Sequence, residues 1–162
     1  MKKLIAAFWF GIWIYFGTFL TASPTFAAAN IAQTTDKVET LGDRNLTRVQ
    51  QFLVSIPRDY YTVRQINQVK ALGKEQQALL VDVREPKEYA SGHIKGAINL
   101  PLRSLTDNLD RLTKTRPVIL YCSTGYRTAM GVMALQMLGY DNVRGFPPSI
   151  EGWKAAGEAL EK

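Results

Sequence analysis

The sequence predicts an α/β fold in which helices cover both faces of a parallel sheet. From about residue 60 onwards, short apolar runs alternate with segments of helical periodicity, as in chains that fold into such sheets. The run 78–83 is apolar except for Asp82, which is typical of a central strand buried on both faces. In open sheets of this kind, ligands bind beyond the carboxyl ends of the strands.

Residues 1–29 have the pattern of a signal peptide. Lys2 and Lys3 precede an uncharged apolar run over 4–20, and small residues at 25–29 offer a cleavage site. The alternative is an uncleaved membrane anchor facing outward, because a spanning helix needs about 17 to 25 apolar residues and this run reaches the lower end. The sequence therefore predicts export, with the periplasm as the destination.

The remainder of the chain, about 130 residues, is long enough for one domain with one core. Removal of Lys2 and Lys3 with the leader would leave 18 basic and 14 acidic residues, a formal charge of +4. This charge favours a small anionic substrate. The basic residues are dispersed and not interleaved with aromatics, so nucleic-acid binding is not expected.

An N-terminal helical extension is predicted over 30–58, ahead of a domain over 59–162. Apolar residues recur at helical spacing before Pro57 and predict an amphipathic helix near 44–55. Two roles are open for it, a cover over part of the core or a docking element for a partner. The apolar positions are Leu46, Val49, Phe52, Leu53 and Ile56.

Five strands are predicted from short apolar runs, at 60–63, 78–83, 97–100, 118–121 and 142–146.

Four helices are predicted between these strands. Thr62 and Gln65 have capping-box spacing ahead of a helix that Gly73 ends, and Pro86 opens a short helix over 86–90. The helix over 128–138 is closed by Gly139. A further helix is predicted from the spacing of Leu102, Leu105, Leu109 and Leu112.

Cys122, the only cysteine, directly follows the strand 118–121 and is the candidate nucleophile. A helix whose first turn starts near Tyr126 presents unpaired N–H groups and a positive dipole end, which lower the pKa of a thiol. Gly125 can adopt positive φ, so that loop amides can point at the sulfur, and Arg127 adds a cation. A single cysteine also excludes an intramolecular disulfide.

Other chemistries fit less well. His93, the only histidine, lies in a turn, and it is predicted to have a structural role and not to act as a catalytic base. A metal site is not expected, because one cysteine and one histidine cannot fill a tetrahedral coordination shell. Asp82, Arg84 and Glu88 are interpreted as a local ion-pair network. Arg84, near a strand end, could alternatively face the anion pocket as a substrate-binding residue.

Four ordered motifs, at 80–89, 92–101, 121–127 and 151–153, resemble those of a single-domain rhodanese, and the resemblance covers about 59–157. It implies a five-stranded parallel sheet and a sulfurtransferase that needs no cofactor. By the resemblance, Cys122 accepts sulfane sulfur from a small anionic donor such as thiosulfate and passes it to a thiol, to cyanide or to an acceptor protein. The loop that would cradle the persulfide comprises Ser123, Thr124, Gly125, Tyr126 and Arg127.

Two alternatives to a sulfurtransferase are a cysteine phosphatase and a sulfur carrier. Cysteine phosphatases place five residues between Cys and Arg, whereas four intervene between Cys122 and Arg127, a ring better suited to a sulfur atom than to a phosphoryl group. The second alternative is an exported carrier or binding module whose thiol only ferries sulfur. Steady-state turnover distinguishes a carrier from an enzyme.

Two segments depart from the rhodanese pattern. Ser123 and Thr124 stand where thiosulfate-using members often carry basic residues, so high activity towards thiosulfate is not predicted. The two prolines of 144–150 are expected to stiffen the rim of the pocket and to select a distinct acceptor there. Trp153 is predicted to anchor the last helix in the core.

Overall fold

The computed structural model describes residues 24–162 and confirms the α/β fold with a parallel sheet. The strands run in the order β2-β1-β3-β4, and all neighbours are parallel. The chain order reverses between β1 and β3, and the crevice at such a reversal is where these sheets bind ligands. The strands are β1 (Leu79–Asp82), β2 (Ile98–Asn99), β3 (Val118–Tyr121) and β4 (Val143–Gly145).

The expected fifth strand, over 60–63, is reduced to a single parallel bridge between Thr62 and Gly145. Within the described residues the sheet therefore has four strands and not five. Tyr60 and Tyr61 have φ angles of 54° and 55°, in the left-handed region, so the backbone becomes extended too late to form a ladder. Two backbone hydrogen bonds to β4 remain, from Val63 N–H to Gly145 O and from Gly145 N–H to Tyr61 O, both 2.8 Å.

Five α-helices lie in the described part of the chain, and two of them match their predictions closely. The helix over 86–90 begins at Pro86 as expected. The helix predicted over 128–138, with its first turn near Tyr126, begins at Tyr126 and is followed by Gly139 at a φ of 78°. The helices are α1 (Pro24–Ser55), α2 (Ile66–Glu75), α3 (Pro86–Ala90), α4 (Tyr126–Met137) and α5 (Ser149–Ala155).

Three helix predictions are corrected by the structure. The helix predicted near 44–55 extends back to Pro24. Apolar periodicity reveals a helix only where one of its faces is buried, and residues 37–47 of α1 are exposed. Thr62 does not cap α2, since its hydroxyl donates to Asp59 O at 2.6 Å, and α2 continues past Gly73. In place of the helix predicted from the leucines of 102–112 there are two 3₁₀ helices, Leu102–Ser104 and Thr106–Arg111, with Leu105 between them and Leu112 directly after the second.

The pattern of contacts between residues divides the chain into two compact units. One unit ends at Leu41 and the other comprises Gly42–Lys162. The last part of α1 therefore belongs to the same unit as the sheet. Residues 1–23, which contain most of the predicted signal peptide or anchor, lie outside the described residues. Between residues 24 and 162, no helix combines the length and the apolar character that crossing a membrane requires.

Strand β3 lies at the centre of the core and is buried on both faces. Val118 and Leu120 join one apolar cluster, whereas Ile119 and Tyr121 join the other. Full burial of a Leu or Ile side chain contributes roughly 1.5–3 kcal/mol, so the strand is held firmly from both sides. Trp153 is buried in the second cluster, as predicted, and donates from Nε1 to Ala159 O at 3.0 Å. This packing fixes the end of β3, where Cys122 follows.

Candidate active site

Cys122 lies at the carboxyl end of β3, in the crevice between β1 and β3. Its side chain is almost fully buried, with 1% of the residue exposed. Gly125, the N-cap of α4, has a φ of 102° and donates its backbone N–H to Cys122 Sγ at 3.1 Å. The predicted positive φ at Gly125 is therefore present, and it turns a loop amide towards the sulfur. Cys122 is therefore shielded from solvent, with a backbone donor directed at its sulfur.

Two opposing influences set the pKa of the Cys122 thiol. Burial raises the pKa, but hydrogen bonds to the sulfur lower it by more, so the pKa lies below its ordinary value. The donors are the Thr128 hydroxyl, the backbone N–H groups of Thr128 and Gly125, and the Ser149 hydroxyl. The Ser149 hydroxyl lies 3.8 Å from Sγ but only 2.9 Å from Phe146 O. Its single proton therefore favours the carbonyl, and Thr128 and Gly125 are the main donors to the thiolate.

The first turn of α5 holds the backbone of the cysteine loop. Ser149 is fully buried with a φ of 54°, and its Oγ accepts the Cys122 N–H at 3.2 Å. The N–H groups of Ile150 and Glu151 donate to Cys122 O and Ser123 O at 3.1 and 3.2 Å. A left-handed residue other than glycine costs roughly 1–3 kcal/mol and persists only where surrounding contacts enforce it. Here those contacts fix the position of Cys122.

Ser123 and Arg127 are both bound by Glu88 of α3. Arg127 makes a bidentate ion pair with Glu88, at 2.6 and 2.8 Å, and also donates to Ser123 Oγ at 2.9 Å. The Arg127 hydrogen bonds are the main reason that the pKa of Glu88 is lowered to about 2, and the same pair raises the pKa of Arg127. The charge of Arg127, the cation predicted to act on the thiol, is therefore compensated by Glu88.

The predicted network of Asp82, Arg84 and Glu88 separates into two pairs, because Glu88 binds Arg127. Asp82 and Arg84 form a buried ion pair at 2.6 Å, and Arg84 Nη2 also donates to Gly92 O at 2.8 Å. The guanidinium of Arg84 is thus directed at protein acceptors in this structure. Its predicted role in substrate binding stays a prediction.

Thr124 and Tyr126 form the outer side of the loop. Both are exposed, Tyr126 to 79%, and both line an apolar cleft of about 720 Å³ next to the loop. Of the loop residues predicted to bind substrate, only Gly125 is seen to contact the sulfur. Ser123 and Arg127 are hydrogen-bonded to Glu88. Thr124 and Tyr126 border the cleft.

His93 has structural contacts, as its position in a turn predicted. Its ring stacks on Tyr89 with a centroid distance of 3.8 Å, and Nδ1 lies 3.2 Å from Tyr89 O. Its backbone N–H donates to Glu161 O at 2.9 Å, and its carbonyl accepts the Glu161 N–H at the same distance. These contacts tie the turn to the C-terminal residues.

Sequence reasoning missed Thr128, Ser149 and Glu88 as members of the site. Thr128 lies in the first turn of α4, directly after the Cys122 loop, and a hydroxyl in the first helical turn after a candidate nucleophile is a usable signal. Ser149 and Glu88 act across 27 and 35–39 residues of sequence, and only the fold brings them to the loop.

Replacing Thr128 by valine tests the origin of the thiol's reactivity. Valine keeps the branched shape but lacks the hydroxyl donor, so we expect the pKa of Cys122 to rise and alkylation by iodoacetamide at neutral pH to slow several-fold. The alkylation rate should be recorded against pH, and its acid limb should move to higher pH. Thr47→Val, on the exposed face of α1, is the matched control. An unchanged pH profile in Thr128→Val would contradict this assignment.

Comparisons with known proteins agree with this geometry. The model of the family described as "Rhodanese-like domain" matches residues 65–156. A sulfurtransferase of Allochromatium vinosum is 33% identical over 86 residues, which are 53% of this chain and 80% of that protein. The thiosulfate sulfurtransferase GlpE of Vibrio cholerae is 25% identical over 103 residues, 64% of this chain and 97% of that protein.

A solved structure shares the fold. The crystal structure of a rhodanese-related protein from Thermoplasma volcanium superposes with a TM-score of 0.53 at 28% identity, covering 61% of this chain and 98% of that one. Other relatives are longer. The chain spans 62% of the Bacillus subtilis protein YqhL and 44% of an HTH-type transcriptional regulator of Mycobacterium tuberculosis.

Proposed function

The chain belongs to the rhodanese-like domain family, and on this premise we propose that it is a sulfurtransferase that works through a persulfide on Cys122. The observation that carries the proposal is the sulfur of Cys122 at the end of β3, with the N–H of Gly125 at 3.1 Å and further hydrogen bonds from Thr128. These bonds favour the thiolate, which is the nucleophilic form of cysteine.

In the first half-reaction, the Cys122 thiolate attacks the outer sulfur of a small anionic donor such as thiosulfate. The bond between that sulfur and the rest of the donor breaks, its electron pair leaves with the sulfite, and Cys122 carries one added sulfur. Backbone N–H groups aimed at the reacting sulfur stabilise the developing charge, and a single well-placed donor of this type is worth about 3 kcal/mol in other enzymes.

In the second half-reaction, a thiol or cyanide attacks the outer sulfur of the persulfide and restores the Cys122 thiolate. Arg127 could assist only if it exchanges part of its bond to Glu88 for the incoming anion, since the two side chains are paired at 2.6 Å. Ser123, which donates to Glu88 and accepts from Arg127, would move with that exchange. Ser123 and Arg127 are thus proposed to be substrate-binding residues together with Thr124, Gly125 and Tyr126.

Steady-state sulfite release tests the proposal. With thiosulfate and excess thiol, we expect the protein to release many equivalents of sulfite, and Cys122→Ser to release none above background, because serine provides no thiolate. Release that stops after one equivalent would indicate a carrier that needs a protein acceptor. Equal release by the wild type and Cys122→Ser would contradict a role for Cys122.

Residues 1–29 support the further proposal that the protein is exported to the periplasm. In that oxidising compartment a chain with one cysteine cannot form an intramolecular disulfide, so Cys122 would stay available for sulfur transfer. Its near-complete burial would also protect it from mixed disulfides with bulky partners.

A further inference from the structure

An apolar cleft of about 720 Å³ lies against the outer side of the Cys122 loop. Sites for small molecules usually measure about 300–1,000 Å³ and are mostly apolar. No side chain lining this cleft carries a formal charge. The cleft therefore differs from the setting expected for a small anion such as thiosulfate.

One wall of the cleft comes from the Cys122 loop and from α4. Gly125 and Thr128 belong to this wall; the Gly125 N–H donates to the sulfur of Cys122 at 3.1 Å, and hydrogen bonding by Thr128 helps to lower the pKa of that thiol. Met130 and Met133 continue the wall along α4, and Met130 is 60% exposed. A molecule bound in the cleft would thus lie against the residue whose N–H contacts the reacting sulfur, Gly125, and against Thr128.

The opposite wall is aromatic and is built by residues 52–62. Phe52 of α1 stacks on Tyr61 with a centroid distance of 6.1 Å, and the Tyr61 hydroxyl donates to Ser55 O at 3.2 Å. Ile56 and Tyr60 complete this wall. The left-handed backbone at Tyr60 and Tyr61, which prevents a strand over 60–63, belongs to the segment that forms this aromatic wall.

The aromatic wall does not come from the part of the chain that matches the family, since that match begins at residue 65. The end of α1 and the segment that follows it are therefore placed beside the Cys122 loop. An apolar surface binds apolar ligands more tightly than charged ones. A charged group loses its hydration on such a surface and gains no partner in exchange.

We propose that the cleft binds the apolar portion of the sulfur acceptor, a thiol that carries an aryl or alkyl group, and this inference rests on the proposed function. The acceptor thiolate attacks the outer sulfur of the Cys122 persulfide, and the S–S bond to Sγ breaks. The electron pair of that bond returns to Sγ as the thiolate, and the acceptor leaves as a persulfide. No external oxidant or reductant is required.

The test is the discharge of protein that has been loaded with sulfur in advance. Two acceptors of similar thiol pKa are compared, phenylmethanethiol and the anionic 2-mercaptoethanesulfonate, because thiol pKa affects the rate of exchange. We expect phenylmethanethiol to reach half-maximal discharge at a concentration lower by about tenfold or more. Equal half-maximal concentrations would overturn the proposal.

Variants from the two walls locate this preference. Phe52→Ala and Met130→Ala should each reduce it several-fold, whereas Leu46→Ala should retain it, since Leu46 lies exposed on α1 and does not line the cleft. Met130 is largely exposed, so its truncation leaves the fold intact even if Phe52→Ala is unstable. A preference that persists unchanged in Met130→Ala and in folded Phe52→Ala would overturn the assignment to this cleft.

A binding measurement separates this inference from the proposed function. Benzyl methyl sulfide cannot accept sulfur as a thiolate, and it should shift the methyl NMR signals of Met130 and Met133 in the unloaded protein. If Cys122 never acquires sulfur, the proposed function fails, and shifts in this titration would still support the cleft as an apolar binding site. If Cys122 does acquire sulfur and neither signal moves, the inference fails and the proposed function stands.

Discussion

Replacing Gly125 by alanine is expected to slow sulfur loading of Cys122 by roughly 100-fold, the cost of losing one well-placed backbone donor. At this position a Cβ atom would lie 2.8 Å from Pro147 O, and the φ of 102° is unfavourable for any residue with a side chain. Neither constraint can be relieved without moving the loop. The Gly125 N–H would then turn away from Sγ, and the pKa of the thiol would rise.

Gly157→Ala is the matched control for this substitution. Gly157 also has positive φ, 75°, but a Cβ there would meet no atom within 4 Å, and it lies outside the Cys122 loop. Both variants carry backbone strain, so a comparison of their loading rates isolates the effect at the sulfur. Rapid-mix experiments with thiosulfate give these rates. Similar loading rates in the two variants would show that the Gly125 amide is dispensable.

Replacing Asp82 by asparagine is expected to lower the free energy of unfolding by about 3 kcal/mol or more, the usual cost of removing one partner from a buried ion pair. Asp82 is completely buried, and its carboxylate accepts Nε and Nη2 of Arg84 as well as the Arg84 backbone N–H. Asparagine preserves the shape but leaves the Arg84 charge without a counter-ion. Urea unfolding at neutral pH measures the loss.

A second substitution tests the explanation. The pair Asp82→Asn with Arg84→Met removes the uncompensated charge, so the double variant should recover part of the lost stability. Glu151→Gln breaks the exposed pair with Lys154, at 3.1 Å, and should cost less than about 1 kcal/mol. If Asp82→Asn cost no more than Glu151→Gln, the buried pair would not be a major contributor to stability.

The same double variant also tests the predicted substrate contact of Arg84. A folded double variant that loads sulfur at the wild-type rate would restrict Arg84 to a structural role. A large loss of loading with stability restored would support a contact between Arg84 and the donor.

The sequence predicted the parts of the fold that depend on local pattern. The burial of β3, the start of α3 at Pro86 and the left-handed Gly125 ahead of α4 follow from apolar runs and from the conformational ranges of proline and glycine. The 3₁₀ helices at 102–111 were missed because leucines spaced by three or four residues fit either helix type. Asn108, with a φ of −125°, interrupts the helical backbone inside the second of them, Thr106–Arg111.

The parts of the site that were missed depend on contacts between distant segments. Nothing within the motif of Glu88 indicates that it binds Arg127, 39 residues away, and not Arg84. The position of Ser149 under Cys122 requires β4 to run beside β3 and α5 to turn back over the loop. Such pairings arise from the order of the strands, which the alternation of elements does not determine.

The central claim is that Cys122 carries transferable sulfur, and the mass of the Cys122 peptide after incubation with thiosulfate tests it most directly. We expect an increase equal to one sulfur atom on Cys122, which a reducing thiol removes. Unmodified Cys122 across thiosulfate and other sulfane donors, in protein whose thiol still reacts with iodoacetamide, would contradict it.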